Sequence, residues 1–133
     1  MKILVDTSVW SLALRRNPSG SHVEKLTRLI MESLVVIIGP IRQELLSGIS
    51  NKSDFDNLRL KLQSYMDMPL TTNDYETAAE YYNICRQQGV QGSHIDFLIC
   101  AAAVNNDLYI YTVDKNFLNF ARHLPIHLFE PLI

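Results

Sequence analysis

Long hydrophobic runs are missing from this 133-residue sequence, and so is a recognisable export signal. No apolar run reaches the ~20 residues that a membrane-spanning helix needs. The short apolar run after Lys2 meets an acidic residue at Asp6, with no small-residue cleavage site behind it, unlike a secretory signal. We therefore expect a soluble, cytoplasmic protein that does not associate with membranes.

The sequence also has few cysteines and a small net charge. The two cysteines, Cys85 and Cys100, lie in helical patterns and lack the paired spacing of a zinc site. We expect them to be buried apolar side chains in a reducing compartment. The formal net charge is only −2, whereas proteins that grip duplex DNA are usually basic. If several acids clustered around bound cations, however, the remainder of the chain would be mildly basic.

The hydrophobic pattern alternates between short apolar runs and amphipathic segments, without an internal repeat or a linker. Such a chain, about half apolar, suits one domain spanning residues 1–133. The apolar runs predict strands at residues 2–6, 34–38, 68–70, 108–112 and 126–129. The amphipathic segments predict helices at residues 7–14, 21–32, 40–48, 51–66, 73–89, 94–106 and 116–123. The alternation predicts a three-layer α/β fold with a mostly parallel sheet.

Local signals refine this prediction. The run at residues 34–38 is apolar on both faces, which predicts a central parallel strand. Residues 21–24 and 73–76 match the capping-box pattern, which predicts that helices begin at these two segments. Ser93 is placed to cap the helix that follows it, and Gly48 is placed to end the helix before it.

Four acidic residues fall near one edge of the predicted sheet. Asp6 ends the first strand, and Asp114 follows the strand at residues 108–112. Glu44 lies in the first turns of the helix after the second strand, and Asp96 is the third residue of its helix. Ligands of parallel α/β sheets bind beyond the carboxyl ends of the strands. We therefore expect these four side chains to lie close together.

Each acid alone has an ordinary explanation: Asp6 as a helix cap, Asp96 as a first-turn acid, Asp114 in a turn with Lys115, and Glu44 on a solvated surface. Together, however, four neighbouring carboxylates would repel one another strongly. Asp96 also precedes an almost wholly apolar helical segment, where an unpaired carboxylate is costly even at a helix N-terminus. A divalent metal ion resolves both problems. An all-oxygen ligand set favours Mg²⁺ or Mn²⁺ over Zn²⁺, and such ions activate water for attack on phosphodiesters.

Four segments around these acids make the sequence recognisable. They are LVDTSVW at residues 4–10, RQELLSG at 42–48, HIDFLICAAA at 94–103 and YTVDKNF at 111–117. In this order and spacing they cover essentially the whole chain, and the sequence resembles PIN-domain proteins, specifically VapC-type toxins of toxin–antitoxin pairs. The resemblance implies a three-layer α/β/α PIN-like domain.

The resemblance also implies roles for individual residues. Asp6 and Asp96 match the most regular metal ligands, and Glu44 and Asp114 match acids that complete the site, often through water. The supporting positions carry small hydroxyl or amide side chains: Thr7, Ser8, Thr112 and Asn116. Because the last of these stands where the family often has a further acid, we expect one firmly held metal ion rather than two.

In function, the resemblance implies a Mg²⁺- or Mn²⁺-dependent endoribonuclease that cleaves RNA with a metal-activated water. It further implies a homodimer that is neutralised by a VapB-type antitoxin and that meets operator DNA only indirectly, through the antitoxin. The RNA itself stays open, because its recognition depends on loop shape and on stacking.

Several further residues have two interpretations. Four basic residues are either phosphate contacts or solvated surface cations: Arg15, Arg16, Arg42 and Lys115. His94 begins a helix and is expected to face solvent or substrate rather than to act in catalysis. Tyr81 and Tyr82 are adjacent on a helix, so one of them is expected to be exposed, at an interface.

Two other classes of function compete with a nuclease. A haloacid-dehalogenase-like phosphatase needs a second acid at the position of Ser8, and a receiver domain needs a lysine that Lys115 imitates only loosely. A catalytically inactive PIN-fold module that binds RNA or protein typically loses acids from the quartet, whereas all four are present here.

Overall fold

A short parallel sheet lies at the centre of the computed structural model, which describes residues 1–130; the last three residues of the expected domain lie outside this range. The strands are β1 (Ile3–Val5), β2 (Val35–Val36) and β3 (Tyr109–Tyr111), in the order β2-β1-β3. Isolated parallel bridges from Ile37 to Asp67 and from Ile110 to Leu128 extend the sheet on both sides. The sheet is parallel throughout, as the alternating pattern predicts.

The sheet corrects three expectations about strands. The run at residues 34–38 contributes only the two residues of β2 and lies beside β1, so β1 and not this run is the central strand. The runs at residues 68–70 and 126–129 form no strand. The sheet gains only one bridge near each of them, at Asp67, just before the first run, and at Leu128, within the second. A strand needs a neighbouring backbone over several residues, and a short apolar run does not provide that by itself.

Seven helices surround the sheet within the described residues, close to the segments predicted for them. They are α1 (Thr7–Ala13), α2 (Ser21–Met31), α3 (Gly39–Leu46), α4 (Lys52–Leu62), α5 (Thr72–Gln87), α6 (His94–Asn105) and α7 (Asn116–Ala121). With the parallel sheet they form the expected α/β/α arrangement. No helix among residues 1–130 is long and apolar enough to cross a membrane.

The helix starts show which capping signals the fold uses. Ser93 caps α6 as expected, and it forms a reciprocal capping box with Asp96. The box at the start of α5, however, pairs Thr71 with Asp74, two residues before the predicted Asn73. Helix α2 follows Gly20 without a side-chain cap, so the predicted box at residues 21–24 is wrong.

The core is built around β1 and α6. All three residues of β1 are fully buried, and α6 buries six residues: Phe97, Ile99, Cys100, Ala101, Ala102 and Ala103. Cys85 and Cys100 are buried free thiols, as expected, and burial raises the pKa of Cys100 well above its ordinary value.

The register of the sheet determines where the site lies. Val5 of β1 pairs with Tyr111 of β3, so both strands end at the same level. The backbone N–H of Asp6 donates to the carbonyl oxygen of Tyr111 at 2.8 Å. Asp6 and Thr112 therefore leave the sheet side by side at its carboxyl edge.

Candidate metal-binding acid site

Asp6 is a buried carboxylate held by hydroxyl groups. Its side chain is 5% exposed, and Oδ2 accepts hydrogen bonds from Ser8 Oγ at 2.7 Å and from Thr112 Oγ1 at 2.8 Å. The carboxylate does not cap α1, and no lysine or arginine pairs with it within residues 1–130. An ordinary capping role therefore does not account for Asp6, whose charge is stabilised here only by neutral donors.

The two hydroxyl groups are themselves fixed by the backbone after β3. Ser8 Oγ accepts from the Val113 N–H at 3.1 Å, and Thr112 Oγ1 accepts from the Asp114 N–H at 3.0 Å. Since each hydroxyl has only one proton, accepting from the backbone leaves that proton for Asp6. Ser8 and Thr112 thus orient the Asp6 carboxylate and tie it to the segment that carries Asp114.

Glu44 reaches the same edge from α3. It is exposed, and its Oε1 accepts a hydrogen bond from Thr7 Oγ1 at 2.5 Å. Because Thr7 is the first residue of α1 and follows Asp6 directly, this contact joins α3 to the end of β1. Glu44 is therefore at the rim of the site and open to water.

Asp96 approaches from the start of α6. Its Oδ2 accepts from the Ser93 N–H at 3.0 Å, and its own N–H donates to Ser93 Oγ at 3.1 Å. Burial raises the pKa of the Asp96 carboxyl, the hydrogen bonds from Ser93 lower it, and the charges of Asp6 and Asp114 raise it again, with a net rise. Asp6 and Asp114 therefore lie close enough to Asp96 for their charges to act on it.

Asp114 forms the turn into α7. It is half-buried, and its Oδ1 accepts from the Asn116 N–H at 2.9 Å. The exposed side chain of Asn116 follows at the first position of α7. One oxygen of Asp114 thus has the ordinary role expected for it, in a turn. The same turn holds the carboxyl group at the edge of the sheet.

The chemistry of these donors suits magnesium better than zinc. Within the described residues, no three histidine, cysteine, aspartate or glutamate side chains converge tightly enough to form a ready-made metal cage. Zn²⁺ in proteins requires three or four such ligands, whereas Mg²⁺ keeps several waters and needs only one or two carboxylates. Within the described residues Asp6 has no cationic partner, and burial raises the pKa of Asp96, so both carboxylates would gain from a hydrated divalent cation.

The four basic candidates divide into two groups. Arg42 is committed to the protein: its guanidinium bonds Asp67 Oδ1 at 2.9 Å and the carbonyl oxygens of Leu62 at 2.9 Å and Tyr65 at 2.5 Å. It fastens α3 to the segment after α4 and is not available as a phosphate contact. The other three are exposed and stay predictions: Arg15, Arg16 and Lys115.

An aromatic contact lies at the start of α6, the helix that also carries Asp96. Tyr81 is buried and Tyr82 is partly exposed, which confirms that the pair cannot both face the core. Tyr82 stacks against His94, with ring centroids 5.2 Å apart and planes 14° apart. The sequence indicated that His94 begins a helix and faces solvent or substrate. Only the packing of α5 against α6 shows that Tyr82 is its stacking partner.

Comparisons with known proteins agree with this architecture. The PIN domain family model matches residues 3–123. The crystal structure of FitAcB from Neisseria gonorrhoeae is 24% identical, with a TM-score of 0.78 over 97% of each chain. VapBC2 from Rickettsia felis, bound to a DNA fragment from its promoter, is 18% identical, with a TM-score of 0.79 over 97% of this chain and 98% of that one. DNA-bound VapBC from Salmonella typhimurium is 15% identical, with a TM-score of 0.78 over 97% of each chain. At these identities the solved structures establish the fold alone.

Proposed function

This chain belongs to the PIN domain family, and we propose that it is a Mg²⁺- or Mn²⁺-dependent endoribonuclease that acts as the toxin of a VapBC-type toxin–antitoxin pair. PIN domains are generally nucleases. The observation that carries the proposal concerns two acids. Asp6 is buried and has no lysine or arginine partner within residues 1–130, and the nearby Asp96 has a raised pKa because of burial and of its acidic neighbours. Carboxylates held in this way suit a divalent cation.

The acids have unequal roles in this proposal. Asp6 and Asp96 bind the ion directly, whereas the exposed Glu44 and the turn residue Asp114 act through water. When bound, the ion supplies an activated water and offsets the charge that develops on the phosphodiester. Asn116 carries no charge, which favours one firmly held ion.

The protein's own contribution is orientation. Ser8 and Thr112 fix the Asp6 carboxylate, Thr7 holds Glu44 towards it, and Ser93 holds Asp96. The exposed Arg15, Arg16 and Lys115 contact RNA phosphates in this proposal and leave direct chemistry to the acids.

The similar structures suggest the partners of this chain. Two of them are VapBC complexes bound to DNA, and another is FitAB bound to an IR36 DNA fragment. These complexes support a VapB-type antitoxin as the partner of this chain, with operator DNA reached through the antitoxin. We also propose a homodimer and a cytoplasmic RNA substrate.

The proposal is tested by cleavage of total RNA with and without metal. The wild-type protein is expected to cut RNA in Mg²⁺ or Mn²⁺, to stop in excess EDTA, and to recover when metal is restored. Asp6→Asn removes the buried charge and should abolish cutting, while Asp54→Asn, at an exposed acid of α4, should not. Full activity of Asp6→Asn, or of the wild type in EDTA, would refute the mechanism. RNA binding without any cleavage by the wild type would instead support an inactive PIN module.

A further inference from the structure

A groove runs between α5 and α6, on the flank of α6 away from the acids. It encloses about 330 Å³ and is lined by Tyr75, Ala78, Tyr82, Asn83, His94 and Leu98. The floor is apolar, while the rim carries an amide, an imidazole and the 53%-exposed ring of Tyr75. Nothing in the proposed chemistry of the acid site uses these side chains.

The aromatic wall of the groove is held rigidly. The Tyr82 ring stacks on His94, and its edge meets the fully buried Phe97 ring with centroids 5.6 Å apart and planes at 75°. Arg86 Nη1 donates to the Tyr82 hydroxyl at 3.0 Å, and the Arg86 guanidinium carbon lies 5.9 Å from the ring centroid. Tyr82, fixed in this way, supports the exposed His94 ring, and a flat ring that is already held in place binds another at little entropic cost.

The groove lies within reach of the acid site. His94 and Asp96 both belong to the first turn of α6. Since successive helical residues are ~100° apart, the two side chains leave opposite sides of the helix, about one helix diameter or ~10 Å apart. A single strand can pass around the start of the helix over such a distance, since single-strand binding sites commonly hold ~4–16 nucleotides.

We propose that this groove is a nucleobase-binding subsite for the RNA strand that enters the acid site, an inference that rests on the proposed function. A base stacks on the exposed His94–Tyr82 pair, and the Asn83 amide is placed to bond a base edge. Arg86 lies outside the groove, on the other side of Tyr82, where it provides a cation for the phosphate of a neighbouring nucleotide. Stacking on aromatic side chains is the usual way in which proteins hold single-stranded bases. The volume fits one base, and the Asn83 amide and the His94 imidazole on the rim favour a nucleotide over an apolar peptide.

The test measures binding without cleavage. All variants are made in the Asp6→Asn background and titrated in EDTA against a fluorescein-labelled single-stranded RNA of about twelve nucleotides. Tyr82→Leu removes the platform, and His94→Ala removes the exposed ring of the pair. Tyr82→Phe keeps the ring. Tyr109→Leu is the matched control, because Tyr109 also contacts a histidine, His127, with centroids 6.2 Å apart, at the opposite end of β3 from Asp114.

We expect Tyr82→Leu and His94→Ala each to weaken RNA binding about five- to hundred-fold, while Tyr82→Phe and Tyr109→Leu bind like the parent. Because His94 is exposed, His94→Ala keeps the test valid if Tyr82→Leu fails to fold. Unchanged affinity in His94→Ala and in a folded Tyr82→Leu overturns the subsite. So does a loss of affinity that accompanies a change in sedimentation mass, because the groove would then be an interface between copies. If the parent binds no RNA and the wild type cuts none, the proposed function itself fails, which is a separate outcome.

Discussion

Two aspartates of this protein share the same local structure and differ in everything around it. Asp74 and Asp96 are each the third residue of a helix, and each forms a reciprocal capping box with the hydroxyl residue before that helix. The cap backbone N–H donates to Oδ2 at 2.9 Å in Asp74 and at 3.0 Å in Asp96. From the helix alone, the two residues are equivalent.

Their second carboxylate oxygens separate them. Asp74 is 2% exposed, and its Oδ1 accepts from the Asn105 side-chain amide at 2.9 Å, so both oxygens are satisfied. In Asp96, Oδ1 has no hydrogen-bond partner within residues 1–130, and Asp6 and Asp114 lie close enough to raise its pKa. The same capping motif therefore yields a structural acid where the fold supplies a donor, and a candidate metal ligand where it supplies other acids.

The largest expected effect separates the two aspartates by activity. Asp96→Asn should lower RNA cleavage by more than about 100-fold, because changes merely behind metal ligands already cost ~10–100-fold. Asp74→Asn should leave cleavage within a few-fold of wild type. Single-turnover rates in Mg²⁺ on one RNA measure both. A comparable loss in the two variants would show that helix capping, and not metal binding, is what Asp96 provides.

A smaller loss is expected when the support of Asp6 is removed. Thr112→Val deletes both the hydrogen bond to Asp6 Oδ2 and the acceptor for the Asp114 N–H. We expect cleavage to fall about ten-fold and to require more Mg²⁺, since the acids remain but are less well oriented. Thr112→Ser keeps the hydroxyl and should restore both. If Thr112→Val required the same Mg²⁺ concentration as wild type, Thr112 would have no role in orienting the metal-binding acids.

For stability, unlike for RNA cleavage, the change at Asp74 should have the larger effect and the change at Asp96 the smaller one. Asp74→Ala removes a cap and leaves the Asn105 amide without its acceptor, so the free energy of unfolding should fall by about 1–3 kcal/mol. Asp96→Ala also removes a cap, but it relieves repulsion from Asp6 and Asp114, and the metal-free protein should lose less or even gain. Urea unfolding in EDTA measures both. A larger loss in Asp96→Ala would contradict the proposed repulsion.

The smallest effect concerns pH. Because the pKa of Asp96 is raised in the folded protein, the folded state binds a proton more tightly than the unfolded chain does. Metal-free stability should therefore fall as the pH rises from the ordinary aspartate value of ~3.9 through the raised value, and then level off. Asp96→Asn should lack this part of the decline, and Mg²⁺ should offset it in the wild type at neutral pH. If metal-free stability depended on pH in the same way in wild type and in Asp96→Asn, Asp96 would not be the source of the decline.

The sequence predicted what depends on periodicity and on chain direction. Asp6 and Asp114 were expected together because parallel strands end at one edge, and the pairing of Val5 with Tyr111 does place Asp6 beside Thr112. The acidic neighbourhood followed from that topology. The roles of the acids as metal ligands stay predictions.

Interactions between distant segments could not be predicted. Arg42 is held by the carbonyl oxygens of Leu62 and Tyr65, about twenty residues along the chain, and no local pattern records that. The sequence predicted Asn73 as the cap of α5, whereas the structure uses Thr71. Both residue types cap helices, and only the backbone conformation decides between them. The stacking of His94 on Tyr82 likewise depends on the packing of two helices.

Direct metal binding tests the central claim, namely that the acids around Asp6 and Asp96 form a divalent-cation site. Mn²⁺ can be titrated with wild type, Asp96→Asn and Asp74→Asn, and the unbound ion followed by its electron paramagnetic resonance signal. We predict that wild type and Asp74→Asn each remove close to one equivalent of free Mn²⁺, and that Asp96→Asn binds at least about ten-fold more weakly. Equal Mn²⁺ binding by Asp96→Asn and wild type would contradict the account.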